Sequence, residues 1–464
     1  MGIIFLHQLH DHLKSLRFQV SLLLLLLLFS LNGLIFTWSK QQQITDDATI
    51  VSANNRIYER AETISQAVQE YRIFSNRAGI EFIAEGGTSW LHDGMWFHLG
   101  IEEEPPNSGR FRSDNNWMIR FEEADWALIV RIVLSFVCIA LAYNTVSSEI
   151  EQSTLSLVFS NPLSRGRYLM GKFLAHLTVL LVSIILCSLV SLLILSLNRA
   201  IELDFVIFRS YCLFLLGTLF YLSFFLLLSM GISALSRNSA SSLVILIMLW
   251  ALLIVIIPQT SYMISTQLIE TPGAWWETYF DPFNDARETL TKEGVSLRGK
   301  DLGGVDGYAI EKIYARRMNE IEKQQHQFHK NNIQKTIYQY QVAKAINVLS
   351  PGFAFQYSVE SLLNTGEVRY QHLLKQGWNY LATLRDFLRA RDAVDPDSPH
   401  VLFLADYMST MELDANNIPR FKYQHPPLSE SIVAGIIPLI VLILDTAIAF
   451  FFAFWCFNRA EIAG

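Results

Sequence analysis

Six long apolar runs alternate with polar segments along the chain. A helix needs about 20 consecutive apolar residues to cross the hydrocarbon core of a membrane. Each run reaches about that length, so the pattern predicts six transmembrane helices. They cover residues 18–38, 124–146, 172–197, 208–235, 240–260 and 430–457.

The first apolar run begins like a signal peptide, because Lys14 and Arg17 precede it. The run continues to Ile35, however, and no small-residue cleavage site follows it, which predicts a retained membrane helix. Within residues 1–17, leucine and isoleucine recur at helical spacing. This spacing predicts an amphipathic helix in the membrane interface, with a disordered N-terminus as the alternative.

Short loops rich in Lys and Arg mark the cytoplasmic side of a membrane protein. Here such residues precede the first run, separate the second from the third and the fourth from the fifth, and follow the sixth. We therefore expect an inner-membrane protein with both termini in the cytoplasm. Segment 147–171 is then a cytoplasmic loop, whereas segments 39–123 and 261–428 are extracytoplasmic.

The two extracytoplasmic segments are together long enough to form one domain with its own core. Helical patterns run through residues 54–79 and 308–348. The second pattern is compatible with a partner-docking stalk or with packing inside the domain, and we favour packing. The predicted fold class is mainly α, a polytopic membrane protein with six transmembrane helices and a large, mostly helical extracytoplasmic domain.

Composition supports a membrane protein over two soluble domains. Hydrophobic residues make up 51% of the chain, charged residues only 17%, and the mean hydropathy is +0.28. The net charge of -7 is mild and predicts no nucleic-acid partner. The four cysteines lie in or beside apolar runs, which argues against a disulfide framework.

The polar loop after the second run, NTVSSEIEQSTLSLVFSNPLSRGRYLMGKF, has an ordered pattern. Glu149 and Glu151 come first, where acidic residues favour the start of a helix, and apolar residues follow. The pattern predicts a helix over 147–160 that Pro162 ends. A short, partly apolar helix of this kind suits the docking of a partner.

At this loop the chain resembles the type-2 family of ABC transporter permeases. That family carries an acidic residue, a Gly-Thr-Leu-like step, a Pro-basic turn and a Gly-Lys pair in the loop. Two further resemblances are GISALSRNSASSL, from Gly231, and LSPGFAFQYSVESLLNTG, from Leu349, the latter found in members with a large extracytoplasmic insertion. The corresponding loop residues are Glu149 and Glu151, Ser153-Thr154-Leu155, Asn161-Pro162-Leu163-Ser164-Arg165 and Gly171-Lys172-Phe173. Ser153 departs from the pattern, because the family usually has Gly there.

The resemblance implies a non-catalytic permease subunit driven by a separate cytoplasmic ABC ATPase, which would bind the ATP and magnesium. The loop helix would sit in a cleft of that ATPase, with Glu149 and Glu151 pairing with its basic residues or remaining solvated charges. A second copy or a similar permease would complete a dimer. The residues expected at this coupling site are Glu149, Glu151, Thr154, Leu155, Pro162 and Arg165.

We expect such a subunit to export a substrate or to transmit ATP-driven motion to periplasmic partners, with a periplasmic or outer-membrane protein as a further candidate partner. The alternative is a membrane-anchored scaffold or sensor whose extracytoplasmic domain binds a ligand or protein. Co-purification of an ATPase distinguishes the two. An integral-membrane hydrolase is disfavoured because no catalytic constellation is present.

The stretch GRYLMGKF, from Gly166 to Phe173, matches most of a P-loop. A working P-loop has Ser or Thr where Phe173 stands and opens a soluble helix, whereas this stretch enters a membrane span. We therefore expect no nucleotide site. Arg167, Tyr168 and Lys172 are expected instead to be anchors in the membrane interface, in contact with lipid headgroups.

Two charged residues fall inside the apolar runs, Arg131 in the second and Asp445 in the last. A charge at membrane depth is costly and usually faces a partner or a cavity. We predict an ion pair between them, serving as a structural clamp or as part of the substrate path. In the alternative, Arg131 extends to the interface and other groups satisfy Asp445.

The histidines suggest no metal site. His326 and His329 follow Glu322 on one predicted helix, and His92 and His98 flank an aromatic stretch. Neither set has the dense ligand spacing of a metal centre. Ordinary surface histidines are the better interpretation, so we predict neither a metal nor catalytic residues in this chain.

Overall fold

The computed structural model describes residues 2–75, 79–86, 94–99, 125–160, 164–271, 278–295, 305–398, 400 and 408–460. In chain order its helices are α1 (Gly2–Lys14), α2 (Leu16–Arg60), α3 (126–142), α4 (Ser147–Glu151), α5 (Leu155–Phe159), α6 (Arg165–Leu197), α7 (Phe205–Leu235), α8 (Ser239–Leu268), α9 (Asp281–Lys292), α10 (Val305–Asn347), α11 (Pro351–Leu362), α12 (Glu367–Asp392) and α13 (Leu428–Arg459). The strands are β1 (Glu70–Phe74) and β2 (Gly94–His98).

Within the described part of the chain, six helices are long and apolar enough to cross a membrane, which confirms the predicted fold class. They are α2, α3, α6, α7, α8 and α13, and they share one apolar core, here called the span core. A second core is formed by α9, α10, α12, the strands and the end of α2, here called the polar domain. We call the polar domain's side of the spans the domain side and the opposite side, where α4 and α5 lie, the loop side.

The first span is much longer than its apolar run. Helix α2 continues without interruption for 45 residues, about 68 Å at 1.5 Å per residue. Near its end the hydroxyl of Tyr58 lies 2.9 Å from that of Tyr380 on α12. One rigid helix therefore joins the span core to the polar domain.

The helix predicted over 54–79 is wrong beyond Arg60. The residues EYRIF form β1, which pairs antiparallel with β2, Glu70 opposite His98. Tyr71 and Ile73 are buried, whereas their neighbours are on the exposed face. This period of two is typical of a half-buried strand and outweighs the weaker helical pattern.

Part of the second segment predicted to be extracytoplasmic enters the span core. The ring of Phe355 on α11 stacks on Tyr221, with ring centroids 5.0 Å apart, and Tyr221 lies near the middle of α7. Residues 351–361 are all buried. Together α10 and α11 form a hairpin whose tip region packs against the middle of α7.

Candidate functional site

The loop predicted as one helix over 147–160 contains two short helices, α4 and α5, so that prediction was wrong. Ser153 takes a left-handed backbone conformation with φ of 56°. The amides of Ser153 and Thr154 then donate to the carbonyls of Ile150 and Glu149, at 3.1 and 2.9 Å. These bonds satisfy the end of α4 and turn the chain, as in αL helix caps.

Glu149 is directed into the protein rather than outward. Its Oε1 lies 2.5 Å from Nζ of Lys172, and the hydroxyl of Tyr168 donates to its Oε2. Lys172 also donates to the carbonyl of Thr145 at 2.7 Å. The carboxylate of Glu149 thus has partners within the chain, and its pairing with a basic residue of an ATPase stays a prediction.

The interface-anchor prediction is also wrong for two of its three residues. Tyr168 is 2% exposed and stacks on Phe457 of α13, with ring centroids 5.5 Å apart, and Lys172 is buried beside Glu149. The ammonium of Lys172 is bound inside the protein by Glu149 and the carbonyl of Thr145, so it does not extend to the headgroups. Arg167 is exposed at the start of α6, and its role as an anchor stays a prediction.

The start of the loop is attached to α7 and α8. The hydroxyl of Ser233 on α7 accepts hydrogen bonds from the amides of Val146 and Ser147, at 3.0 and 2.9 Å. Glu151 accepts from the hydroxyl of Ser239 at 3.0 Å, at the first turn of α8. Helix α4 is therefore bound directly to two further spans.

The end of the loop is attached to the last span. Arg165 donates to the carbonyls of Phe457, at 3.3 Å, and Asn458. These carbonyls end α13, where the helix dipole favours a positive charge. Leu155 is 2% exposed and packs in the span core, and Thr154 donates from its hydroxyl to Glu149; Pro162 lies outside the described residues.

Helix α1 covers this cluster. The ring of His12 meets that of His176 on α6 edge-on, with centroids 4.2 Å apart, and His176 also contacts Thr145 at 3.2 Å. Sequence reasoning missed His12, His176, Thr145 and Ser233. Lys172 and His176, four residues apart in a predicted span, were the available signal, since polar residues inside a span usually share a buried network.

The predicted ion pair between Arg131 and Asp445 is not formed, although the structure describes both residues. Arg131 lies over the ring of Phe353, 4.3 Å from its centroid. Helix α7 lies between the two charges, because Tyr221 donates to the carbonyl of Arg131 whereas Thr446, beside Asp445, donates to that of Phe220. Oδ2 of Asp445 is buried with no hydrogen-bond partner among the described residues.

The histidines of α10 are buried rather than on the surface. His326 lies 3.4 Å from Glu322, whose carboxylate also pairs with Arg385 at 2.5 Å, and His329 packs on Trp378. Among the residues that the structure describes, no group of three or more His, Cys, Asp or Glu is arranged to hold a metal. His92 lies outside them.

Comparison with known proteins identifies the family. No curated protein matches the chain. The model of a family described as ABC-2 family transporter protein matches residues 3–462, which include the loop and all six spans. The chain therefore belongs to the ABC-2 family, as a multi-pass membrane permease subunit of a transporter that works with ABC ATPase subunits.

Proposed function

We propose that this permease subunit receives the motion of a separate ATPase at the turn between α4 and α5 and transmits it to the polar domain. This motion leads to export of a substrate or to a mechanical change in a periplasmic or outer-membrane partner. ATP and magnesium bind to the ATPase chain. The loop side is cytoplasmic and the domain side extracytoplasmic, in the inner membrane.

One observation carries the proposal: the loop is joined by polar contacts to four other spans. Glu149 binds Lys172 on α6, Ser233 of α7 binds the start of α4, Glu151 binds α8, and Arg165 binds the end of α13. A force applied to the loop therefore acts on several spans together. Such a loop functions as a transmission element, because packed helices move as units rather than deforming continuously.

The docking surface is the exposed turn that follows α4. Glu151, Gln152 and Ser153 are exposed, while the neighbouring Leu155 is buried. The exposed side chains of the turn are polar and one of them is acidic, which suits a polar cleft on a partner. Glu149 has a different role in this proposal: it connects the docked turn to α6.

The transporter works as a dimer with a second copy or a similar permease. Much of α2 and α8 is exposed and apolar, including Leu23, Leu27, Val244 and Met248. These faces are available to lipid and to a second permease. The dimer would bring two loops to two ATPase subunits.

The experiment separates docking from transmission. Gln152→Trp should block docking and abolish co-purification of the ATPase, because it adds bulk at the exposed turn. Glu149→Gln should keep co-purification but lower the stimulation of ATP hydrolysis by the permease. The matched control is Glu202→Trp, exposed in the short loop on the domain side, which should behave as the parent. Unchanged co-purification with Gln152→Trp would refute docking at this turn.

A further inference from the structure

Two π-helical turns face each other across one glycine in the span core. They are Ile129–Leu134 in α3 and Leu252–Ile256 in α8. A Cβ atom on Gly352, at the tip of the α10–α11 hairpin, would lie 2.6 Å from Cδ1 of Ile254 and 3.0 Å from Cγ of Arg131. The π turns are rare and concentrate at functional sites. Here both π turns contact the hairpin at Gly352.

Arg131 is held at this point without hydrogen bonds from its Nε and Nη1 among the described residues. The side chain is 5% exposed, and its guanidinium lies on the ring of Phe353, one residue after Gly352. A buried cation over an aromatic face is attracted by the ring quadrupole. The contact with Phe353 nevertheless leaves these N–H groups of Arg131 without hydrogen bonds, which costs free energy. The guanidinium can therefore leave the ring for another position.

Two carboxylates act electrostatically on Arg131 without binding it directly. Asp125 accepts instead from the amides of Leu128 and Glu85, at 2.6 and 2.8 Å. Glu360 accepts from the side-chain amide of Gln356 at 2.6 Å. Both carboxyl groups therefore lie near Arg131, but each is held by donors of its own.

The hairpin tip lies about halfway across the spans. Ile254 is near the middle of α8, and the carbonyl of Arg131 accepts from the hydroxyl of Tyr221, a residue near the middle of α7. The tip thus reaches between the second, fourth and fifth spans from the domain side. Non-helical backbone at such depth occurs where protein buries it or where it lines a polar path.

We propose that the α10–α11 hairpin is a plug that closes the spans from the domain side, and that Arg131 on Phe353 holds it closed. This inference rests on the proposed function, because ATP-driven movement of α3 and α8 would separate the two π turns and release the tip. The plug continues directly into α12, whose Arg369 pairs with Glu81 at 3.0 Å. Its opening therefore moves the polar domain as well.

The test measures access to the buried face of the plug. Ser358 is 1% exposed, and Ser358→Cys is introduced into the full chain with Cys212→Ser, which removes the exposed native thiol. A membrane-impermeant maleimide is added to the domain side of proteoliposomes that contain the permease and its ATPase. The protein that carries only Ser358→Cys and Cys212→Ser is the parent. The thiol introduced at position 358 should react slowly with the maleimide at rest and at least tenfold faster when the complex is trapped with ATP and vanadate.

Phe353→Leu, added to this background, should raise the resting rate at least tenfold without ATP, because the aromatic contact of Arg131 is lost. Phe208→Leu, on the exposed face of α7, is the matched control and should leave the rate unchanged. A resting rate with Phe353→Leu equal to that of the parent overturns the plug. If the ATPase does not co-purify with the permease, the proposed function is refuted. The plug is still tested in that case, because the resting maleimide rates with and without Phe353→Leu are compared without ATP.

Discussion

At the scale of single residues, the sequence predicts the position of a residue along a span better than the side of the helix that it faces. Arg131 and Asp445 both lie beside α7, as residues inside apolar runs, yet α7 separates them. Glu149, expected to face an ATPase, binds Lys172 within the chain. A single sequence gives the charge and approximate height of a residue, but the rotation of each helix is decided by packing with its neighbours.

The buried pair of Glu149 and Lys172 gives a prediction at this scale. Lys172→Met should lower the free energy of unfolding by about 3 kcal/mol, because it leaves a largely buried carboxylate without its cation. The double variant with Glu149→Gln should recover part of this loss. Thermal unfolding of the four forms in detergent measures the coupling. Additive losses in the double variant would mean that the two groups do not interact.

At the scale of elements, the long apolar helices were predictable and the short elements were not. The six spans follow from length and composition, and they are present. The break at Ser153 depends on one left-handed residue, and β1 depends on pairing with β2, twenty or more residues away. The entry of α11 into the span core depends on tertiary contacts. Because polar residues flank α11, the sequence placed it in an extracytoplasmic segment.

The pairing of α10 with α12 gives a pH dependence. Burial, and then the charge of Arg385, hold the pKa of His326 below its usual 6.5, against the opposing effect of Glu322. The unfolded chain therefore takes up a proton that the folded chain resists, and stability should fall as pH drops through 6.5. Burial raises the pKa of Glu322, but Arg385 and His326 outweigh it and leave a net lowering, so its contribution is lost only nearer pH 4.5.

The measurement is thermal unfolding between pH 7.5 and 5.5, followed by circular dichroism in detergent. The parent should lose stability across this window, and His326→Gln should flatten the dependence. His425→Gln removes an exposed histidine and should keep the slope of the parent. An equal slope in His326→Gln and the parent would show that this histidine does not set the pH dependence.

At the scale of the whole molecule, continuous stretches of the described chain join the span core to the polar domain. Among them are α2, which runs from Leu16 to Arg60, the α10–α11 hairpin, and residues 408–460, which lead into α13. On the loop side, Glu149 is bound to α6, and Arg165 to the end of α13. The resemblance of the loop to type-2 permeases predicted the family, but the path between the two ends required the structure.

Interrupting α2 should separate the two ends. Thr49 is exposed in α2 beyond its apolar part, and Thr49→Pro removes a helical hydrogen bond at a local cost of about 3 kcal/mol. ATPase co-purification should be unchanged, while ATP-dependent changes in hydrogen exchange at β1 and β2 should weaken. Thr49→Ala is the control and should preserve both. Full ATP-dependent changes in Thr49→Pro would exclude α2 as the connection.

The central claim is that ATP-driven motion enters at the loop and leaves at the polar domain. Hydrogen–deuterium exchange of the complex with its ATPase tests it most directly, comparing the free permease, the complex and the complex trapped with ATP and vanadate. We predict protection of residues 147–159 when the ATPase binds, and faster exchange in α11 only on trapping. An ATPase that binds without protecting the loop, or a trapped state whose exchange in α11 is unaltered, would contradict the account.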